Sequence, residues 1–169
     1  MNFKTLIFLF FLFSIGCFCD AQVKKEYKIF KNNNGVVTSE GTLENGKPNG
    51  YWKTYHQNGM LKTEGNRLNF VLDSIWKFYD TKGYLTVEIN YKDGLKHGYQ
   101  KLFNRDSILI KKELFSENKK NGLSQIFFNS GKIKLRQNFK NNLLEGASFL
   151  FDTLGTVISI TKFSGGVLK

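Results

Sequence analysis

Three glutamates recur at a spacing of 24 residues, namely Glu40, Glu64 and Glu88. Of the repeated residues in this sequence, they come nearest to a catalytic pattern. Two carboxyl groups about 6.5–9.5 Å apart hydrolyse glycosidic bonds in inverting glycosidases. Equivalent residues of consecutive hairpins lie two strands apart, or about 10 Å, and the column continues with Lys112 and Arg136. We therefore interpret this column as a ladder of surface charges and not as an acid–base pair.

Other catalytic patterns are weak. The two histidines, His56 and His97, occupy different positions of the repeat, and two imidazoles alone make a poor zinc site. The glycine-rich stretch 45–50 resembles a phosphate-binding loop, but Pro48 removes an amide donor and no helix-starting GKS or GKT follows. The sequence predicts no catalytic residue, no metal and no cofactor, and we expect a protein that is not an enzyme.

Aromatic residues next to lysines are better candidates for binding. Such pairs are typical of surfaces that bind a sugar ring, a lipid head group or a partner's strand. We expect the tryptophans to share a sheet face with Phe78 and the tyrosines to line the opposite face. A second interpretation is that the same rings form a cross-strand ladder that holds the sheet together. The candidate binding residues are Trp52, Trp76, Tyr51, Tyr55, Tyr79, Lys53 and Lys77.

These residues recur because the sequence itself repeats every 24 residues. Steps of 24 from Gly50 lead to Ser74, Gly98, Gly122 and Gly146. Each unit has two short runs rich in aromatic and branched residues, separated by turn residues, which predicts a hairpin. Repeats of this length form arrays in which each unit packs on its neighbours. The sequence therefore predicts an all-β fold, an elongated single-layer antiparallel sheet of about six consecutive hairpins and about twelve strands.

Two details of the predicted sheet follow from the columns of the repeat. The aliphatic column of Leu61 and the aromatic column of Tyr91 are separated by an even number of positions, which predicts that they share one face and form its inner wall. In the first unit, Phe30 and not Lys31 is expected to fill the aromatic column of Tyr55. This assignment requires one extra residue in that unit.

The pattern of Gly50, Trp52, Tyr55 and Gly59, continued by Trp76, Tyr79, Gly83, Tyr91, Gly94 and Gly98, resembles the MORN (membrane occupation and recognition nexus) repeat. The resemblance covers the chain from about residue 24 to its C-terminus. It is strongest to bacterial variant repeats that are often labelled as an antitoxin-type family. It implies a curved single-layer sheet of hairpins, and the label implies an alternative function, the neutralisation of a toxin protein.

The N-terminus has the features of an export signal. One basic residue, Lys4, precedes an apolar run from Leu6 to Phe13, which is shorter than the roughly 20 residues that span a bilayer. Cleavage after Ala21 gives a signal peptide of residues 1–21 and a repeat domain of residues 22–169. An alternative is lipidation at Cys17, because residues 14–17 resemble a lipobox. We expect a protein exported to the periplasm, the cell envelope or the medium.

Charge and cysteine content narrow the function further. The chain has 25 Lys plus Arg against 14 Asp plus Glu, a net charge of +11, which favours acidic partners. Both cysteines precede Ala21, so the mature chain has no disulfide. We expect a non-enzymatic scaffold that binds a protein, or an anionic glycan or lipid head group, through its aromatic and basic sheet. Nucleic acid is an unlikely partner of an exported protein.

Overall fold

A computed structural model describes residues 22–169 of the chain. Turn residues divide this part into twelve strands of six to nine residues and two strands of two residues. The strands are β1 (Lys25–Lys31), β2 (Val37–Glu44), β3 (Lys47–Tyr55), β4 (Leu61–Leu68), β5 (Val71–Tyr79), β6 (Leu85–Lys92), β7 (Leu95–Phe103), β8 (Leu109–Ser116), β9 (Lys119–Phe127), β10 (Ile133–Lys140), β11 (Leu143–Leu144), β12 (Gly146–Phe151), β13 (Val157–Ser164) and β14 (Val167–Leu168).

All fourteen strands belong to one open antiparallel sheet. Neighbours in the sheet are neighbours in the chain, except that β10 pairs with both β11 and β12. The two short strands β11 and β12 together occupy the place that β9 fills in the preceding unit, with a break at Glu145. The predicted all-β array of hairpins is confirmed. Across residues 22–169, no helix is long and apolar enough to cross a membrane.

Two kinds of turn alternate along the sheet. Within a hairpin, Gly59 takes φ +82° and donates its N–H to the carbonyl of His56 at 2.9 Å. Between hairpins, two-residue turns have positive φ at both positions, which matches the twist of the strands they join. Asn45 and Gly46 fit this geometry, whereas Phe70 adopts φ +70° without the freedom of glycine.

A β-bulge near the start of the second strand of each hairpin changes which face its first residue occupies. In the second unit Tyr55 pairs with Leu61 and Thr54 pairs with Thr63, so Lys62 is the extra residue. Leu61 therefore lies on the face of Tyr55. The Tyr91 column lies on the opposite face, because Tyr91 pairs with Ser74, two residues before Trp76. The prediction of one shared inner wall was wrong, since the even-number rule does not hold across a bulge.

The first unit has no extra residue. Lys31 pairs with Val37 in the way that Tyr55 pairs with Leu61, so Lys31 occupies the aromatic column. Phe30 instead points to the other face, where its ring lies 6.1 Å from that of Trp52. The predicted insertion was therefore wrong, and Phe30 belongs to the packing around Trp52.

The buried side chains all lie on one face, which we name the tryptophan face after Trp52 and Trp76. No second layer covers this face among residues 22–169, so its side chains cover one another, as the twist of a sheet allows. Its centre is a cluster of Leu43 and the two indoles, with Phe78 and Tyr91 packed against it. The buried side chains are Leu43, Trp52, Trp76, Ile89, Glu113, Phe115, Ser124 and Ser148.

Candidate binding surface

The opposite face, named the tyrosine face after Tyr51, Tyr55 and Tyr79, carries no buried side chain in the described residues. One row of directly opposed residues, which we name the central row, crosses this face from the first long strand to the last. Its residues are Ile29, Glu40, Lys53, Glu64, Lys77, Glu88, Lys101, Lys112, Gln125, Arg136, Phe149 and Ile160.

Glu64 is the centre of a hydrogen-bonded group in the first half of this row. Its carboxylate accepts the hydroxyl of Tyr51 at 2.7 Å and that of Tyr79 at 2.6 Å, and Lys53 and Lys77 lie on the two neighbouring strands. Burial alone would raise the pKa of Glu64, but hydroxyl donation by both tyrosines and the two lysines lower this pKa overall. The carboxylate is thus fully engaged by its neighbours.

The same arrangement recurs one unit earlier, where the hydroxyl of Tyr55 donates to Glu40. Partial burial, and then the hydrogen bond to a carboxylate, raise the pKa of Tyr51 and of Tyr55 to about 12. Both phenols therefore stay neutral donors at any physiological pH.

The positive charges of Lys53 and Lys77 are offset by carboxylates on the neighbouring strands. Each faces a glutamate on both neighbouring strands. Further along the row, the Lys101 ammonium contacts Glu88 at 3.1 Å. Because the signs alternate from Glu40 to Lys101, this half of the tyrosine face carries little net charge.

The second half of the row is different, since Lys112, Gln125 and Arg136 follow one another without a carboxylate. Among the described residues neither Lys112 nor Arg136 forms an ion pair. Each cation instead lies over an aromatic ring: Lys112 Nζ is 4.0 Å from the ring centroid of Tyr99, and the Arg136 guanidinium is 4.6 Å from that of Phe149. In the sequence, Lys112 and Arg136 stand out only as breaks in the glutamate column.

The structure places the predicted site residues on both faces, as expected from their alternation. Tyr51 is 53% exposed, whereas Trp52 and Trp76 are only 7% and 4% exposed. A β-carbon on Gly65 would lie 2.4–2.6 Å from three atoms of the Trp76 indole, so this ring rests directly on the glycine. The indole N–H donates to the carbonyl of Asn66 at 2.8 Å. These contacts give the tryptophans a packing role, as in the second interpretation of the sequence, and binding through Trp52 and Trp76 stays a prediction.

Later units replace both the tryptophan and the glycine on which it packs. Trp52 lies opposite Gly41 and Trp76 opposite Gly65. In the units that lack tryptophan, a larger residue takes the place of the glycine. The corresponding pairs are Gln100 with Ile89 and Ser124 with Glu113, and the equivalent positions one unit later are Ser148 and Gln137.

One of these replacements creates a buried charge that the sequence analysis missed. Glu113, 3% exposed, contacts the ammonium groups of Lys111 at 3.1 Å and Lys120 at 2.8 Å through the same carboxylate oxygen. Burial would raise the pKa of Glu113, but the two lysines lower it overall. The signal in the sequence was a glutamate in a column that otherwise holds Gly41, Gly65 and uncharged residues.

Histidines form no metal site among residues 22–169. Nε2 of His56 lies 2.9 Å from the carbonyl of Tyr79, which ties the turn after β3 to the end of β5. Within residues 22–169, no three His, Cys, Asp or Glu side chains are placed to hold a metal ion. The predicted signal peptide and the alternative lipidation site at Cys17 lie outside the described residues.

Comparison with known proteins identifies the repeat. The MORN repeat variant family matches residues 48–69 and residues 120–141. Both segments are one hairpin, β3–β4 and β9–β10, and they begin 72 residues apart, which is three periods of 24. No curated protein matches the chain, and the matches do not extend to the antitoxin-type group. Two hairpins of the array match the family model in register with the 24-residue period, and these matches support a MORN-repeat protein.

Proposed function

We propose that this protein is an exported, non-enzymatic scaffold that holds a partner against its tyrosine face. The observation that carries the proposal is the asymmetry of the sheet: the tryptophan face buries its own side chains, while the tyrosine face keeps a continuous row of charged and aromatic residues accessible. MORN repeats are generally associated with binding and scaffold roles. A partly exposed aromatic surface of this extent fits such a role.

In this proposal the residues in and beside the first half of the central row have different roles. Tyr51, Tyr55 and Tyr79 present ring edges and hydroxyls that are fixed by carboxylates, and fixed side chains lose little conformational entropy on binding. Lys53 and Lys77 contribute orientation more than net attraction, because glutamates flank both. The tryptophans act from behind the face by keeping the strands in register.

Export is part of the proposal because of the apolar run 6–13, followed either by cleavage after Ala21 or by lipid attachment at Cys17. Both routes deliver the repeat domain outside the cytoplasm. Mass spectrometry of the purified protein from its native host separates the two, since only one leaves a lipidated N-terminal cysteine.

The test of the binding face is photo-crosslinking in intact cells. A photoreactive phenylalanine analogue at Tyr51 or Tyr99, both on the tyrosine face, is expected to give the same discrete adduct. The control is the analogue at Thr81, an exposed position in a hairpin turn. Adducts of equal yield from Thr81, or adducts from neither face position, contradict the proposal. A crosslinked toxin protein would redirect the function to the antitoxin-like alternative.

A further inference from the structure

We propose that the second half of the tyrosine face binds an acidic polysaccharide, with Lys112 and Arg136 as the residues that hold its carboxylates. The inference deepens the proposed function by naming a ligand class and moving the contact away from the tyrosines. It starts from the central row, in which charges cancel up to Lys101 and do not cancel beyond it.

No carboxylate faces the cations of this half in the central row. Lys112 lies opposite Lys101 on β7 and Gln125 on β9, and the ammonium of Lys101 is already paired with Glu88. Arg136 on β10 is exposed, and so is Lys134 on the same strand. A surface that concentrates positive charge in this way gains free energy when an anionic ligand neutralises it.

Aromatic rings fix these cations in position. Lys112 is held over Tyr99, and the guanidinium of Arg136 lies over both Phe149 and Phe151, at 4.6 and 5.7 Å from their centroids. A guanidinium stacked on rings keeps its N–H edge available for the bidentate contact that carboxylates accept. Lys112 and Arg136 are two strands apart, about 10 Å, so one ligand must supply at least two separated carboxylates.

The strands under this site disfavour a peptide that binds by strand addition. β8, β9 and β10 are each paired on both sides, so none of them is an edge strand to which a peptide could add. A sugar chain needs only side chains. The Gln125 amide between the two cations can bind its hydroxyls, and the neighbouring row offers Tyr99 and Leu123, 36% and 37% exposed, to the apolar face of a ring.

The chain supplies its own matched control. Lys112→Gln with Arg136→Gln removes two positive charges from the central row of the second half. Lys62→Gln with Lys82→Gln removes two from exposed positions outside the central row. Both double variants lower the net charge equally, so a difference between them reports the position of the charges and not their number.

The experiment measures binding of polygalacturonate to the mature chain by calorimetry, with the fully methyl-esterified polymer as the uncharged control. We expect the wild type and the Lys62, Lys82 variant to bind alike. The Lys112, Arg136 variant should bind about 10- to 30-fold more weakly, because each of the two partly exposed cations contributes about three- to five-fold to binding, and the methyl ester should not bind. Unfolding curves of both variants establish that the sheet is intact.

Four results would overturn the inference. They are equal loss in both variants, loss only in the Lys62, Lys82 variant, equal binding of the methyl ester, and no binding of polygalacturonate while vesicles containing phosphatidylglycerol bind through Lys112 and Arg136. None of these four results changes the crosslinking expected at Tyr51 and Tyr99, which tests the proposed function separately. A discrete adduct that persists when polygalacturonate fails leaves the scaffold function standing and removes only this ligand.

Discussion

Replacing Gly65 with alanine should destabilise the protein because of one side chain, the indole of Trp76. The new methyl group would lie 2.4–2.6 Å from three ring atoms, against an ordinary contact distance of 3.4–4 Å, so the indole must move by about 1 Å. The hydrogen bond from the indole to Asn66 and the Arg67 guanidinium 5.6 Å from the ring centroid oppose that movement. Overpacking of this kind costs about 1–3 kcal/mol of unfolding free energy. Gly65 has an ordinary backbone conformation, so the cost comes from packing alone.

A double-mutant cycle isolates this contact. Trp76→Ser reproduces the residue found at positions 124 and 148 of later units, and it should cost about 3–5 kcal/mol by itself. In that background the alanine at position 65 meets no indole, and its cost should fall close to zero. The coupling energy between the two positions is then about 1–3 kcal/mol.

The assay is urea unfolding followed by far-UV circular dichroism, with free energies extrapolated to water at a common slope. If Gly65→Ala costs the same with and without the indole, the two effects are additive. The pairing of tryptophan with glycine across strands would then not be the reason for either residue.

Three further outcomes follow from the turns and the titrating groups. Gly59→Val should lower the unfolding free energy by about 1–2 kcal/mol because a branched residue is strained at φ +82°, while Ser107→Gly at the equivalent turn should raise the midpoint; no change in either contradicts the turn geometry. Glu113 stabilises the fold above the ordinary pKa of a glutamate, and this contribution is lost as pH falls through its lowered pKa; Glu113→Gln should cost roughly 2–3 kcal/mol at neutral pH and flatten the acid limb of the unfolding curve. The pKa of Tyr51 and of Tyr55 is raised to about 12. Their contribution to the unfolding free energy should therefore be fully present below pH 10 and decline from there towards pH 12. A phenolate absorbance titration that is complete near pH 10 would refute this.

The period of the sequence was enough to predict the hairpins, because turn residues such as Asn58 and Gly59 mark where each strand ends. The faces were harder. A bulge adds one residue at Lys62 and its equivalents, and nothing in the alternation of apolar residues distinguishes a bulge from a plain strand. Leu61 was therefore assigned to the wrong face.

The site depends on register across strands, which sequence spacing gives only in part. The column of Glu40, Glu64 and Glu88 was visible, but the lysines that neutralise it belong to other columns and become neighbours only when the strands pair. For the same reason Lys112 and Arg136 could not be recognised as unneutralised. Their charges are unneutralised because the residues opposite them on the neighbouring strands are not carboxylates.

The pairing of each tryptophan with the glycine before it also determines how units of this array can be exchanged. The pair Gly41 and Trp52 spans the boundary between two hairpins, and so does the pair Gly65 and Trp76. A unit cut out at the boundary turns and inserted elsewhere would bring an indole against the side chain of Ile89 or Glu113. Cuts inside the hairpins, at turns such as that of Gly59, keep each pair together. The segment that can be duplicated or transplanted intact therefore runs from one hairpin tip to the next, half a period out of step with the hairpins themselves.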